Sequence, residues 1–232
     1  MNKVIVITGS RQGIGRYLTE YYLNKGFVLI GCDLQDTDLN HQDYEHFCLD
    51  VADEKAVKKM FSGIAKKYKQ IDYLINNAGI ASMNHSLLTP LSTVEKVFRT
   101  NVFGTFLFCR EAAKVMIKNK FGRIINFSSV AVPLDLEGEA VYAASKSAIE
   151  KLTTILSKEF GKSGITVNAI GPSPIKTDLI KNVGEGKLNE LLRQQAISKF
   201  GSFEDVANVI DFFISEKSDM ITGQIIYLGG VF

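Results

Sequence analysis

Short apolar runs alternate with helix-period stretches along the whole chain, and this alternation restricts the fold more than any other feature. Val4 to Thr8 is a run of the kind a buried strand needs. Glycines follow it, then an amphipathic stretch from Ile14 to Asn24 that Lys25 and Gly26 close as a helix C-cap would. Phe27 to Asp33 reads as the next strand and Phe47 to Leu49 as a short third one. Asp53 can N-cap a helix to Tyr68, with Ala56, Val57, Met60, Phe61 and Ile64 on one face. Ile71 to Ile75 reads as a strand that ends in Asn76-Asn77-Ala78-Gly79. Ser92 followed by Glu95 has the pattern of a capping box, which predicts a long helix reaching about Asn119. Beyond it come a strand from Arg123 to Phe127, a helix from Glu139 to Phe160 stopped by Gly161, and a strand from Thr166 to Ile170. The segment from Gly171 to Gly201 holds Pro172, Pro174, Gly184 and Gly186 and reads as a loop with some helix. A helix from Phe203 to Ser215 and a strand from Gln224 to Leu228 complete the pattern.

Strands that are nearly continuous Val/Ile/Leu runs are buried on both faces, as in a parallel sheet. Strands alternating with helices then predict the α/β class, with a doubly wound parallel sheet of about seven strands and helices on both faces. No composition shift marks a boundary, so residues 1–232 read as one domain.

The composition excludes several classes. Hydrophobic residues make up 46% and charged residues 22%, which supports a full core and excludes overall disorder. The net charge is +2, from 27 basic and 25 acidic residues with no dense basic patch, so no nucleic-acid partner is expected. Apolar stretches such as Val102 to Cys109 are too short to cross a bilayer, so no membrane partner is expected either. The first residues hold too short an apolar run for a signal peptide, which points to a cytoplasmic protein. Cys32, Cys48 and Cys109 lie at unrelated spacings and read as buried small apolar residues in a reducing compartment. His46 and Cys48 alternate as a strand would place them, but two ligands make a poor metal site, and no metal is expected.

In an open α/β sheet, ligands bind at the carboxyl ends of the strands. The first such turn is Thr8-Gly9-Ser10-Arg11-Gln12-Gly13-Ile14-Gly15. Glycines there let the backbone approach a pyrophosphate, and the following helix N-terminus offers free N–H groups. The spacing is Gly-x3-Gly-x-Gly rather than the commoner G-x-G-x-x-G. Asp33 ends the second strand, where a carboxylate can accept hydrogen bonds from the adenosine ribose. It would also repel a 2′-phosphate: at an effective dielectric of about 20, two unit charges about 4 Å apart cost on the order of 4 kcal/mol. NAD(H) is therefore expected over NADP(H), with Arg11 as the counter-signal because a guanidinium could pair with that phosphate.

Ser129 stands just past a strand, thirteen residues before Tyr142, and Tyr142 and Lys146 share one helix face. At these residues the chain resembles the classical branch of the short-chain dehydrogenase/reductase family, a Rossmann-fold family. The matching pieces are the Thr8–Gly15 loop, Asn76-Asn77-Ala78-Gly79, Asn101, Ser129, Tyr142-x3-Lys146, Pro172 and Thr177, in the family's order, with Ile221-Thr222-Gly223-Gln224 near the end. Similar members include the 3-oxoacyl-[acyl-carrier-protein] reductases and related alcohol dehydrogenases.

The resemblance implies hydride transfer between a nicotinamide cofactor and a secondary alcohol or ketone. Tyr142 would be the general acid/base, its pKa of about 10 lowered by Lys146 and the oxidised nicotinamide. Lys146 would also hold the nicotinamide ribose, Ser129 the substrate oxygen, and Asn101 a water linking Lys146 to solvent. By position, Asp50 and Val51 would touch the adenine, and Asn77, Ala78 and Gly79 the adenosine ribose. Pro172, Ile175 and Thr177 would lie at the nicotinamide, and residues of about 178–200 would form a substrate lid. Members assemble through the helices that carry Asn101 and Tyr142, so a homotetramer is expected.

Two alternatives remain. One is an NADPH-dependent 3-oxoacyl-[acyl-carrier-protein] reductase, for which Lys120 matches one carrier-facing basic position while Ser163 departs from the other. The other is a dinucleotide-binding regulatory protein without turnover, which the joint presence of Asn101, Ser129, Tyr142 and Lys146 opposes. A further departure is Pro172-Ser173-Pro174, where the family often has Pro-Gly. Ser173 takes a positive φ less easily than glycine.

Overall fold

A computed structural model describes residues 2–177, 180 and 184–231. Its strands are β1 (Val4–Thr8), β2 (Val28–Asp33), β3 (Tyr44–Cys48), β4 (Tyr73–Asn76), β5 (Gly122–Phe127), β6 (Ile165–Gly171) and β7 (Ile225–Tyr227). They form one seven-stranded sheet in the order β3-β2-β1-β4-β5-β6-β7, every pair parallel. β1 is flanked by β2 on one side and β4 on the other, so the winding reverses there and leaves a crevice at the carboxyl edge. Register lines up the strand ends at that edge: Thr8 pairs with Cys32 and with Asn76, Asn76 with Asn126, and Phe127 with Ile170. The loops after β1, β2, β4, β5 and β6 therefore leave the sheet side by side.

Helices cover both faces. On one side α1 (Gly13–Asn24) and α8 (Phe203–Ile214) bury Leu18, Tyr22, Val206, Ile210 and Phe213 against Ile5, Ile7 and Ile75. On the other, α2 (Glu54–Tyr68), α4 (Thr105–Asn119) and α6 (Ala140–Gly161) bury Val57, Phe61, Phe108, Met116 and Leu156 against Val4, Val6 and Leu74. Burying each such side chain contributes roughly 1.5–3 kcal/mol. No described helix is long and apolar enough to cross a membrane.

Local chemistry explains most boundaries. Asp53 caps α2, accepting from Lys55 N at 2.9 Å and Ala56 N at 3.1 Å, and Gly26, with φ +80°, follows α1 as the C-cap pattern requires. The expected capping box at Ser92 is not formed. Helix α3 (Leu91–Phe98) starts two residues earlier, with Pro90 in place of Ser92 as the N-cap, and the fixed φ of Pro90 suits that position, so Ser92 lies inside the helix. The capping box that does form is Ser202 with Asp205, at the start of α8. The long helix is also not uniform. Between α3 and α4 the chain takes a π-helical course over Arg99–Gly104. Strand β3 starts at Tyr44, three residues before its expected start, because its half-buried Tyr44 and His46 lack the apolar signature of the inner strands. A short helix, α5 (Ala131–Leu134), follows β5 where none was expected. All three thiols are free, but Cys48 is exposed rather than buried, since β3 is an edge strand.

Candidate active site

The glycine-rich loop is held by the strand beside it. Asn77 Nδ2 donates to Thr8 O at 3.0 Å and Gly9 O at 3.1 Å, and Ala78 N donates to Thr8 Oγ1 at 2.9 Å. Gly9 has φ +67°, and a Cβ there would sit 2.9 Å from Asn77 Nδ2. Gly15 meets a closer limit, since its Cβ would lie 2.0 Å from Gly9 O. Helix α1 opens at Gln12 with no side-chain cap, leaving its first N–H groups directed at the crevice.

That crevice is a cavity of about 1010 Å³ running along the carboxyl edge. Gly9, Arg11, Gln12, Gly13, Ile14, Asp33, Asp50, Val51, Asn77, Ala78, Gly79 and Thr177 line it. Of the loop residues expected there, Ser10 and Gly15 do not line it. Ser10 is fully buried, with its hydroxyl 3.2 Å from the Tyr44 hydroxyl behind the loop. Gly15 serves the close packing of α1 on that loop. Gly13 has φ +57°, which side-chain-bearing residues rarely adopt, and it faces Thr177 across the crevice, where a Cβ would lie 3.7 Å from that side chain. An open backbone cradle, an uncapped helix start and a carboxylate ending β2 together fit a dinucleotide.

Ile14, Asn77, Gly79, Ala81, Met83 and Thr177 are shared with a second cavity of about 380 Å³. Ser129, Tyr142, Lys146, Pro172 and Ile175 line this one. The rest of its lining mixes apolar Val130, Leu134, Leu136 and Pro174, and Leu188 and Leu191 of α7 (Glu185–Arg193), with acidic Asp135, Glu137 and Glu190. Residues 178, 179 and 181–183 of the expected lid lie outside the described residues. The Pro-Ser-Pro departure is accommodated without strain: Ser173 is not in the left-handed region, and its hydroxyl donates to Gln195 Oε1 at 2.7 Å.

The Tyr142 and Ser129 side chains line the same cavity, close enough for the Ser129 hydroxyl to act on the phenol. Burial pushes the Tyr142 phenol up to about 12, against the pull of the Ser129 hydroxyl, and Glu139 adds to the rise. The expected lowering by Lys146 is therefore not found in the protein alone. The Lys146 ammonium lies 5.8 Å from the centre of the Tyr142 ring and donates instead to the Phe127 carbonyl at 2.8 Å. Burial pulls Lys146 down to about 8.

Asn101 is placed differently from expectation. It lies in the π-helical turn and lines neither cavity. Its Oδ1 accepts from Ile80 N at 2.9 Å, and its Nδ2 donates to Ile80 O at 3.0 Å and Ser145 Oγ at 3.0 Å. The side-chain amide is thus held by Ile80 and Ser145. A Cβ at Gly79 would meet Asn101 Oδ1 and Lys146 Nζ at 3.4 Å each, so the clamp on Ile80 also fixes the backbone beside the ammonium. Sequence reasoning missed Phe127 and Ile80, because each acts through its backbone and side-chain type gives no sign of that.

A family model described as Enoyl-(Acyl carrier protein) reductase matches residues 9–230. The chain belongs to the short-chain dehydrogenase/reductase family. This short-chain dehydrogenase/reductase is similar to a 3-oxoacyl-[acyl-carrier-protein] reductase FabG of Buchnera aphidicola subsp. Schizaphis graminum. The two are 32% identical over 234 residues, which cover 98% of this chain and 96% of the relative. It also superposes on 4-hydroxyisoleucine dehydrogenase complexed with NADH, with a TM-score of 0.88 and 31% identity over 99% of this chain and 98% of the other. The structure of ElxO with NADP bound gives a TM-score of 0.90 and 29% identity over 98% and 97%. The short-chain dehydrogenase/reductase described here is accordingly an NAD(P)-dependent oxidoreductase.

Proposed function

We propose that this enzyme interconverts a secondary alcohol and its ketone, with Tyr142 moving the proton and NAD(H) preferred over NADP(H). The observation that carries the reading is the placement of Ser129, Tyr142 and Lys146 together on the wall of a cavity that shares Ile14, Asn77, Gly79 and Thr177 with the glycine-lined crevice. A bound nicotinamide supplies or accepts the hydride. Ser129 holds the substrate oxygen as charge develops on it, and Tyr142 gives or takes the proton at that oxygen. Lys146, buried next to Gly79, holds the nicotinamide ribose and favours the phenolate once it leaves the Phe127 carbonyl. Leu134, Leu136, Leu188 and Leu191 receive an apolar part of the substrate, with the segment of about 178–200 as its lid.

The preference for NAD rests on Asp33, which lines the crevice at the end of β2. A 3-oxoacyl-thioester reductase using NADPH is the second reading, favoured by the similarity to the Buchnera relative. Against it, Asp135, Glu137 and Glu190 stand in the wall of the substrate cavity, and Lys146 is the only basic side chain there among the described residues. An acidic carrier would meet like charge.

Self-association is supported by the α4–α6 face, where Phe103, Phe106 and Ile155 are exposed around a shallow groove. A second copy related by a two-fold axis would cover it, and a tetramer would need one further contact of the same kind. Free thiols throughout fit the reducing cytoplasm.

The deciding experiment is Tyr142→Phe, assayed over a panel of secondary alcohols and ketones with each nicotinamide. Turnover is expected to fall by roughly 10²–10⁴-fold while NADH binding, read by fluorescence, stays as in the wild type. A variant that keeps turnover within about tenfold of wild type would remove Tyr142 from the chemistry.

A further inference from the structure

A second group of chemistry-bearing side chains lies outside the cleft. Asp36, His46 and Cys48 bring a carboxylate oxygen, an imidazole nitrogen and a thiol within 4.8 Å of one another. His46 and Cys48 share one face of β3, and the turn after β2 supplies the third group. β2 and β3 run parallel with Asp33 opposite Cys48, and His46 Nε2 bonds the Gln35 carbonyl at 2.9 Å, which holds that turn over the edge strand. Cys32 and Cys109 are buried, so Cys48 is the exposed thiol among the described residues.

We propose that Asp36, His46 and Cys48 form a binding site for a divalent cation of borderline softness, with Zn²⁺ the expected occupant. A sulfur, a nitrogen and an oxygen donor suit Zn²⁺, whereas Mg²⁺ and Ca²⁺ take oxygen ligands almost alone. Three protein ligands leave a fourth tetrahedral position for water. Bonds of about 2.0–2.3 Å put tetrahedral ligand atoms roughly 3.3–3.8 Å apart, so the cluster must close by about 1 Å. Cys48 at the end of an edge strand and Asp36 in an exposed turn can both move that far. His46 gives one ring nitrogen to the cation. The other keeps its present partner, either the Gln35 carbonyl or the Tyr44 hydroxyl at 2.9 Å, which is how a ligating imidazole is normally oriented. Binding displaces the thiol proton to solvent and involves no change of oxidation state. The site adjoins the adenosine end of the crevice, which Gln35 lines, and is separate from the substrate cavity.

The test uses the full chain, reduced and stripped of metal, titrated with Co²⁺ and with Zn²⁺ in competition with a chromophoric chelator. One equivalent of Co²⁺ is expected to give a thiolate-to-metal charge-transfer band that Cys48→Ser abolishes. His46→Asn and Asp36→Asn are each expected to weaken Zn²⁺ by about tenfold or more, and the control His85→Asn to leave it unchanged. Asp36 and Cys48 are exposed, so their variants are expected to melt with the wild type. Absence of the band overturns the proposal. So does a loss confined to Cys48→Ser, which would mark a lone thiolate binding metal without the other two ligands.

Discussion

The Arg11 Nε lies 3.9 Å from Asp33 Oδ1, buried and with no hydrogen-bond partner of its own. The same guanidinium donates from Nη2 to Gln12 Oε1 at 2.7 Å. The two residues that argue in opposite directions about the adenosine ribose are thus neighbours in space, and the cation partly offsets the carboxylate. Replacing Asp33 by Asn should free Arg11 to meet a 2′-phosphate. The ratio of kcat/KM for NADH over NADPH is then expected to fall by about tenfold or more, since each 1.4 kcal/mol of lost repulsion is a factor of ten. Arg11→Ala should move the ratio the other way. A ratio that Asp33→Asn leaves unchanged would sink the assignment of cofactor preference to this carboxylate.

Asn101 should matter for stability before it matters for chemistry. Asn101→Ala removes both bonds to Ile80 and the one to Ser145, in a region where water cannot replace them. A loss of roughly 2–4 kcal/mol is expected from urea unfolding, with a lowered kcat as the backbone beside Lys146 relaxes. Stability within about 0.5 kcal/mol of wild type would show that the clamp is idle.

Lys146 makes stability depend on pH. Its folded value of about 8 lies below the ordinary lysine value of 10.5. Between these two values the unfolded chain binds more protons than the folded one, so this group makes stability rise with pH. At neutral pH the buried ammonium is a cost of a few kcal/mol, relieved as pH climbs through about 8. Tyr142 acts in the opposite sense above its ordinary value of 10, because its folded value is about 12. Cofactor-free protein is therefore expected to gain Tm between pH 8 and pH 10. Lys146→Met should abolish that gain, and an equal gain in the variant would assign the slope elsewhere.

Ser129→Ala separates binding from turnover. The hydroxyl accepts from Ala131 N at 3.2 Å and acts on the Tyr142 phenol in the same cavity. A fall in kcat of roughly 10²–10³-fold is expected, with the KM for the nicotinamide unchanged. Because Ser129 lowers the Tyr142 pKa, its loss should move the pH profile of alcohol oxidation upward. A profile that stays in place would mean that Tyr142 is not the titrating group.

The association of copies is checked by sedimentation. Phe106→Glu on α4 should break the α4–α6 contact and lower the oligomeric state while leaving the Tm of the monomer fold near wild type. An unchanged state would place the interface on another face.

The inner strands could be read directly because they are buried on both faces. β1, β4, β5 and β6 appear in the sequence as apolar runs whose ends fall within about two residues of the observed ones. Asp53 was legible because an acidic cap has a local cause. Ser92 and Glu95 misled because Pro90 offers an equally local and better-placed start. Ser10 was credited to the crevice because a loop motif does not say which side chains face inward; Tyr44, from a distant strand, turns it away. The clamp on Ile80 and the carbonyl of Phe127 were not legible at all, since each depends on where a backbone group comes to lie once the sheet is wound. Asp36 joined His46 and Cys48 for the same reason, because the pairing of β2 with β3 sets it and spacing along the chain does not.

The wide turn over Arg99–Gly104 has a consequence for how this chain can vary. A π-helical turn holds one residue more than an α-helical turn for nearly the same rotation, so a residue removed there would let the helix regain regular pitch with its downstream register kept. Phe108 and Met116 would still face the core, but Asn101, which lies in that turn, would be re-aimed and would lose Ile80. Lineages of this protein that lose a residue in that segment should therefore keep the packing of α4 and lose the clamp.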